Sequence, residues 1–220
     1  MTTKEGSTLK TYDSIAESWY RLRHRTRFLN ELTYLAGRWK RGRLLNVGCA
    51  HGPDFLPFIH QFELWGLDSS EGMISWAVKY ASKHQFSAHL IAGDAVSLPF
   101  LDRSFDYAVS VAAYHHITGT MQRLSAFREL RRVLRPGGEA YITVWNRWQK
   151  AFIWKGSEVM VPWKVKGSAV QRYYHLFTYP EIEGLLKKAG FKIISSFPEH
   201  GYRFPLKFFS RNICVLASRD

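Results

Sequence analysis

The stretch RLLNVGCAHG, residues 43–52, decides the fold of this 220-residue chain. Its apolar residues Leu44, Leu45 and Val47 predict a short buried strand, and residues 53–60 after the glycine turn are predicted to form a helix. Glycines let the backbone turn tightly and let a ligand approach its N–H groups closely. A strand, a glycine turn and a helix in this order therefore favour a nucleotide-like cofactor, with a purely structural loop as the alternative.

The composition indicates a single α/β domain, residues 1–220, with a basic surface. The chain has 31 Lys and Arg against 18 Asp and Glu, a formal net charge of +13, and 15% of its residues are aromatic. Excess positive charge favours a polyanionic partner, and aromatic faces among basic side chains suit unpaired bases. A basic surface that serves only solubility is the alternative.

The two cysteines and the polar N-terminus bear on the compartment. Cys49 and Cys214 form no C-x-x-C pair, so neither a metal site nor a disulfide framework is expected. No apolar run approaches the roughly 18 residues of a membrane span, and residues 1–10 lack the apolar core of a signal peptide. We therefore expect a cytoplasmic protein with no membrane contact.

The N-terminal segment, residues 1–40, is predicted to be helical from residue 11, with residues 1–10 frayed. Its apolar residues recur at helical spacing, and the positions expected to be buried are Ile15, Trp19, Leu22, Phe28, Leu32 and Leu35. Its middle is crowded by Arg21, Arg23, His24, Arg25 and Arg27. Because one helix cannot bury so many arginines, some must face solvent, phosphate or a pocket.

A second strand is predicted over residues 62–67, ending at Asp68, with Ser69 or Ser70 capping the next helix. An acid at the end of the second strand can accept hydrogen bonds from both ribose hydroxyls, and the spacing from Gly48 to Asp68 fits that arrangement. This spacing favours the cofactor interpretation over the structural loop.

The rest of the chain continues the alternation of strands and helices. Strands are expected at residues 88–92, 105–113, 139–145, 191–197 and 212–217, and helices at residues 121–134 and 181–189, with the last two strands as an antiparallel edge pair. Residues 146–179 break this alternation and are predicted to be a basic, aromatic insertion over the cofactor edge. Asp94 at a strand end can accept from an adenine amino group or cap the next turn. His115 and His116 end a strand on the ligand side and have no further metal ligand at suitable spacing.

Five motifs between about residues 40 and 145 resemble those of class I S-adenosylmethionine-dependent methyltransferases. They are LLNVGCAHG, GLDSS, GDAVSLPF, SFDYAVSVAAYHHI and LRRVLRPGGEAYITVW, in that order. The resemblance implies a Rossmann-like α/β fold, with a mostly parallel seven-stranded sheet, an antiparallel edge strand and helices on both faces.

The flanking segments are similar to those of the transfer-RNA wobble-uridine carboxymethyl methyltransferases. The matching segments are YDSIAESWYRLR at 12–23, the His115-His116 pair, Trp145, Val161-Pro162-Trp163 and QRYYHLF at 171–177. Members of that family methylate the carboxylate of 5-carboxymethyluridine at the first anticodon position, commonly with a small zinc-binding activator subunit. The resemblance implies a tRNA anticodon stem-loop as partner, and an activator is expected near exposed residues around Leu64 and Trp65.

The resemblance also implies roles for individual residues. The cofactor S-adenosyl-L-methionine would be held by Asn46, Gly48, Cys49, Ala50, Gly52, Asp68, Ser69, Met73, Asp94, Ala95 and Val111. The substrate would be met by Arg23, His116, Arg172, Tyr174 and His175. His116 is alternatively a structural histidine, and Tyr174 and His175 are alternatively packing residues; Trp145 and Trp163 are expected to pack. The basic residues expected along the RNA are Arg21, Arg25, Arg27, Lys150, Lys155, Lys164, Lys166, Arg203, Lys207 and Arg211.

Two residues depart from the family pattern. Asn46 stands where the family has an acid, so it lacks the charge attraction for the methionine ammonium, and Ala50 stands where it has a glycine, which carries a penalty if its φ is positive. Two other functions therefore stay open. One is methylation of a small carboxylate or lipid-like precursor, and the other is a non-catalytic RNA-binding or scaffold role.

Overall fold

The computed structural model describes residues 5–165 and 168–220. Its strands are β1 (Gly42–Val47), β2 (Phe62–Asp68), β3 (His89–Ala92), β4 (Phe105–Val111), β5 (Leu134–Trp145), β6 (Glu158–Val165), β7 (Ser168–His175), β8 (Phe191–Pro198) and β9 (Asn212–Arg219). Its helices are α1 (Glu5–Leu22), α2 (Leu29–Trp39), α3 (Glu71–Lys83), α4 (Thr120–Val133) and α5 (Tyr179–Lys188). Short 3₁₀ helices cover Pro53–Phe58, Tyr114–His116 and Lys207–Phe209.

Seven strands form the central sheet in the order β3-β2-β1-β4-β5-β9-β8. The pairs among β1 to β5 are parallel, and β9 runs antiparallel to both β5 and β8. The predicted fold class is thus confirmed. The antiparallel strand β9 is second from the end of the sheet, and β8 forms the outer edge.

The two sides of the sheet are set by alternation along the strands. Leu45 and Val47 pack with α4 and α5 in one apolar core, whereas Leu44 packs with α2 and Pro53–Phe58 in another. Because successive side chains of a strand point to opposite faces, this short run supplies both cores. The described helices include none with the length and apolar character needed to span a bilayer.

The N-terminal segment differs from its prediction as one helix. Residues 5–10 already belong to α1, residues 1–4 lie outside the described residues, and a break at residues 23–28 separates α1 from α2. Leu22, expected to be buried, is 68% exposed at the end of α1 because the chain leaves the helix there. The other expected core positions are buried, except Trp19, which is half-buried.

Two further segments also differ in local structure. The helix expected over residues 53–60 is a six-residue 3₁₀ helix that contains Pro57, whose ring cannot continue an α-helix. The insertion at residues 146–179 contains a β-hairpin, β6 paired antiparallel with β7, that the sequence pattern did not reveal.

Candidate functional site

A cavity of about 820 Å³ opens at the carboxyl ends of the parallel strands. In an open α/β sheet, ligands bind in this position because loops from several strands converge there. Residues of β1, β2, β3 and β4 line one end, and α1, the break at residues 23–28 and β7 line the other. The cavity therefore has a sheet end and an opposite end formed by the N-terminal segment and the insertion.

The glycine turn forms part of the sheet end. Its backbone is left-handed at Gly48 (φ 73°), Ala50 (φ 47°) and Gly52 (φ 91°). The N–H groups of Gly48 and Cys49 both donate to the carbonyl of Leu67, at 2.7 and 3.0 Å, which joins the turn to β2. The positive φ at Ala50 means that this position does carry the expected backbone penalty.

Only part of the predicted methionine-binding set faces the cavity. Gly48 and Ala50 line it, whereas Cys49 and Gly52 are buried outside the lining. Cys49 packs its side chain in the apolar core with α2, where burial raises the pKa of its thiol. The direct contacts predicted for Cys49 and Gly52 are therefore not supported.

Asn46 is fully buried and does not line the cavity. Alternation along β1 turns it away from the face of Val47, which does line the cavity. Neither its amide oxygen nor its amide nitrogen has a hydrogen-bond partner among the described residues. The Asn46 side chain as it lies here does not reach the cavity, and its contact with the methionine ammonium stays a prediction.

Asp68 is held at the cavity wall by two backbone N–H groups. Its Oδ2 accepts from Ala50 at 2.9 Å and its Oδ1 from Ser70 at 2.9 Å, while burial raises the pKa of the carboxyl. Each carboxylate oxygen keeps a further lone pair for a ligand hydroxyl. Ser70 is the helix cap, because its Oγ accepts from the Met73 N–H at 3.0 Å, and Ser69 faces the cavity.

The remaining cofactor residues predicted from the resemblance, Met73, Asp94, Ala95 and Val111, all line the cavity. Asp94 also caps its own turn, since its Oδ1 accepts from the Val96 N–H at 2.9 Å. The two roles considered for Asp94 are therefore compatible, because one oxygen is engaged locally and the residue still faces the cavity.

His116 lies at the opposite end with both ring nitrogens engaged. The Tyr12 hydroxyl is 2.9 Å from Nε2, and the Tyr173 carbonyl is 2.9 Å from Nδ1. A carbonyl can only accept, so we assign the proton to Nδ1, and Nε2 then accepts from Tyr12. Burial lowers the pKa of His116 to about 4, so the ring is neutral near pH 7.

Arg172 and Arg23 share an aromatic wall. The guanidinium of Arg172 lies 4.9 Å from the Trp163 ring and 5.6 Å from Trp19, and that of Arg23 lies 5.7 and 5.3 Å from the same rings. Arg172 also donates to the Tyr174 hydroxyl at 2.7 Å. Trp163 donates to Ser18 at 2.9 Å, consistent with its predicted packing role.

Five arginines line the cavity without a carboxylate partner among the described residues: Arg23, Arg25, Arg27, Arg172 and Arg211. Desolvation and the nearby Arg27 lower the pKa of Arg23, as expected where cations are gathered together. A cluster of like charges in a partly buried cavity favours an anionic ligand.

His175 does not join these residues, contrary to its prediction. It lies next to Tyr174 in β7, so its side chain takes the opposite face and forms a 2.7 Å contact with Glu181 of α5. Leu64 is buried, and Trp65 is half-buried and stacks on His89, so the surface expected around them for an activator is only partly exposed. Lys166 lies outside the described residues.

Tyr12 is the functional candidate that sequence reasoning missed. It precedes the expected core position Trp19 by seven residues, which places both on one side of α1, and this spacing was the available signal. Among residues 5–165 and 168–220 no group of three or more His, Cys, Asp or Glu is arranged to hold a metal ion.

Comparisons with known proteins agree with this geometry. Residues 44–138 match a family described as a methyltransferase domain. A protein of Encephalitozoon cuniculi described as a candidate methyltransferase is 30% identical over 72% of this chain and 72% of its own length. A tRNA (carboxymethyluridine(34)-5-O)-methyltransferase of Schizosaccharomyces pombe is 34% identical over 51% of this chain and 59% of its own length.

Solved structures agree on the fold. A S-adenosylmethionine-dependent methyltransferase of Clostridium acetobutylicum superimposes with a TM-score of 0.75 at 13% identity, covering 94% of this chain and 98% of that one. A methyltransferase of Haloferax volcanii solved with the Trm112 methyltransferase activator gives a TM-score of 0.65 at 16% identity, covering 94% and 96%. Through its similarity to the Encephalitozoon cuniculi relative, the chain belongs to the methyltransferase family.

Proposed function

We propose that this protein methylates the carboxylate of 5-carboxymethyluridine at the wobble position of tRNA, giving the methyl ester. The observation that carries this proposal is the unpaired arginine cluster at the end of the cavity opposite Asp68. A carboxylate entering from that end meets cations and then the neutral His116. The tRNA-modifying relative, at 34% identity, supports the same substrate class.

The sheet end fits S-adenosylmethionine. Gly48 lets the backbone pass where a Cβ would overlap Ala113, and Asp68 presents two oxygens with free lone pairs to ribose hydroxyls. Met73, Asp94 and Val111 would border the adenosine. When bound, this cofactor supplies an electrophilic methyl group on a sulfonium.

The residues at the opposite end have positioning tasks. An ionised carboxylate is already nucleophilic, so no general base is needed, and His116 with its pKa of about 4 is neutral and hydrogen-bonded. Methyl transfer consumes the charge of the carboxylate, so tight neutralisation by arginine would favour the substrate over the transition state. Arg172 already donates a hydrogen bond to the Tyr174 hydroxyl, so Arg23 has more N–H groups available than Arg172 to orient the carboxylate.

The decisive experiment is mass spectrometry of wobble nucleosides from cells that lack this protein. We expect 5-carboxymethyluridine to accumulate as the free acid and the wild-type gene to restore the ester. Arg23→Ala should fail to restore it, whereas Arg128→Ala, which removes an exposed arginine of α4 away from the cavity, should restore it. Unchanged wobble nucleosides would contradict the proposal.

Two alternatives are separated by binding and turnover. The buried Asn46 and the left-handed Ala50 favour a non-catalytic scaffold role. Calorimetry with S-adenosylmethionine tests that role, because a scaffold that does not bind the cofactor should release no heat of binding. Turnover with small carboxylic acids in place of tRNA tests the small-substrate alternative. If tRNA is the substrate, its binding should also weaken steeply as salt rises.

A small zinc-binding activator subunit is part of this proposal, as is a cytoplasmic location. The Haloferax volcanii neighbour, solved with the Trm112 activator, supports the activator. The outer edge of β3 carries no strand among the described residues, and such an edge can pair with another chain. Co-expression with a candidate activator should raise turnover, and full turnover by the isolated chain would contradict this part.

A further inference from the structure

Two loops beside the cavity form one basic and aromatic surface, which we call the two-loop platform: residues 147–157 and residues 200–211. They contain Arg147, Lys150, Lys155, Arg203, Lys207 and Arg211 and no Asp or Glu. Their exposed rings include Trp154, 94% exposed, and Phe204, 57% exposed. Of the residues in these two loops, only Arg211 lines the cavity.

The loops are tied together by buried Asn146. Its side-chain amide donates to the carbonyls of Phe208 at 2.7 Å and Ser210 at 2.8 Å, and its own N–H donates to the Arg211 carbonyl at 3.0 Å. Its side-chain oxygen accepts from the Trp148 N–H at 3.1 Å. Because one satisfied residue joins both loops, they present a single surface rather than two independent ones.

The platform continues into the cavity. The guanidinium of Arg211 lies 5.5 Å from the Trp145 ring, and both residues line the cavity. The nearby Glu199 forms no salt bridge with a platform side chain, and its carboxylate instead accepts from the backbone N–H groups of Arg211 and Asn212 at 3.2 and 2.8 Å. The positive charge therefore remains available to a ligand that reaches the cavity.

We propose that the two-loop platform binds the unpaired nucleotides of an RNA loop on either side of the nucleotide that enters the cavity. This inference rests on the proposed function. Single-stranded bases stack on exposed aromatic rings while arginine and lysine contact the phosphates, which is the combination present here. A membrane surface is less suited, because binding to it commonly uses an amphipathic helix and these loops contain only the three-residue 3₁₀ helix Lys207–Phe209.

The test uses the full chain and a fluorescently labelled RNA hairpin with an unpaired, uridine-containing loop. Trp154→Ala and Phe204→Ala should each weaken binding by about fivefold to a hundredfold, which corresponds to losing one base–aromatic stack. Tyr34→Ala is the matched control, since it removes an exposed ring on α2 and should leave binding unchanged. Equal unfolding midpoints would establish that the variants fold.

Three results would overturn the platform. The first is that the variant with both Trp154→Ala and Phe204→Ala binds the hairpin as the wild type does. The second is that the variants lose as much affinity for a blunt duplex of the same stem as for the hairpin. The third is that they lose binding to phosphatidylserine vesicles but not to RNA. Turnover of carboxymethyluridine separates this inference from the proposed function. If the variants lose hairpin binding and the wild type methylates no tRNA, the platform stands and the proposed reaction fails. If turnover is intact but hairpin binding is insensitive to both rings, the platform alone fails.

Discussion

Replacing Gly48 with alanine should destabilise the protein through two separable effects. The position has φ 73°, and a left-handed L-residue costs about 1 to 2 kcal/mol. The added Cβ would also overlap the Cβ of Ala113, and overpacking of this kind costs about 1 to 3 kcal/mol. The lower flexibility of alanine in the unfolded chain returns about 0.5 to 1 kcal/mol. The net loss in the free energy of unfolding is therefore about 1 to 4.5 kcal/mol.

Urea denaturation of Gly48→Ala, Ala113→Gly and the double variant separates these effects. In the double variant the overlap is removed and only the backbone penalty at position 48 remains. The double variant should therefore be more stable than the sum of the two single changes indicates. Ala113 itself has φ −110°, so glycine there should cost only about 0.5 to 1 kcal/mol. The reasoning is refuted if Gly48→Ala unfolds within about 0.5 kcal/mol of the wild type, or if the two changes are strictly additive.

Three further predictions concern the same cavity. Ala50→Gly should relieve the left-handed φ of 47°, leave the free energy of unfolding within about 1 kcal/mol of the wild type and strengthen S-adenosylmethionine binding in calorimetry; weaker binding would contradict this. Asp68→Asn should weaken that binding by roughly tenfold to a hundredfold, since hydrogen bonds to a charged group contribute about 1.5 to 3 kcal/mol, and unchanged affinity would place the ribose elsewhere. Acid should destabilise the fold through His116, whose pKa is about 4 in the folded protein against 6.5 ordinarily, so the unfolded chain binds the extra proton and stability is lost as pH falls from 6.5 towards 4. Asp54, with a pKa raised by burial to about 6, opposes this trend. Because His116→Gln removes the titrating imidazole, its urea midpoints should fall less between pH 7 and 4 than those of the wild type.

The sheet end of the cavity was predictable because its signals are local. Gly48 and Asp68 are separated by one strand–turn–helix unit, and the pairing of β1 with β2 brings them together without any distant contact. The same alternation that predicts buried strands also decides which residues reach the cavity. Applied strictly, this alternation would have placed the Asn46 side chain away from the cavity, because Val47 next to it lines the cavity.

The opposite end of the cavity was less predictable because its contacts are remote in sequence. Tyr12 and His116 are 104 residues apart, and Trp163 reaches Ser18 across 145 residues. No periodicity within either segment specifies such a contact. The break at residues 23–28 was equally hidden, since apolar spacing continues through it while the arginines there turn towards the cavity.

The register of the hairpin formed by β6 and β7 decides which side chains of β7 face the cavity. In β7, Arg172 and Tyr174 face the cavity and His175 faces α5, where its 2.7 Å contact with Glu181 ties the hairpin to the helix. A shift of one residue would exchange these faces and replace the arginine at the cavity by Tyr173. The glycine turn and Asp68 would be untouched, because no residue of β7 takes part in their hydrogen bonds. The contact between His175 and Glu181 therefore helps to hold Arg172 and Tyr174 at the cavity, although neither His175 nor Glu181 lines it.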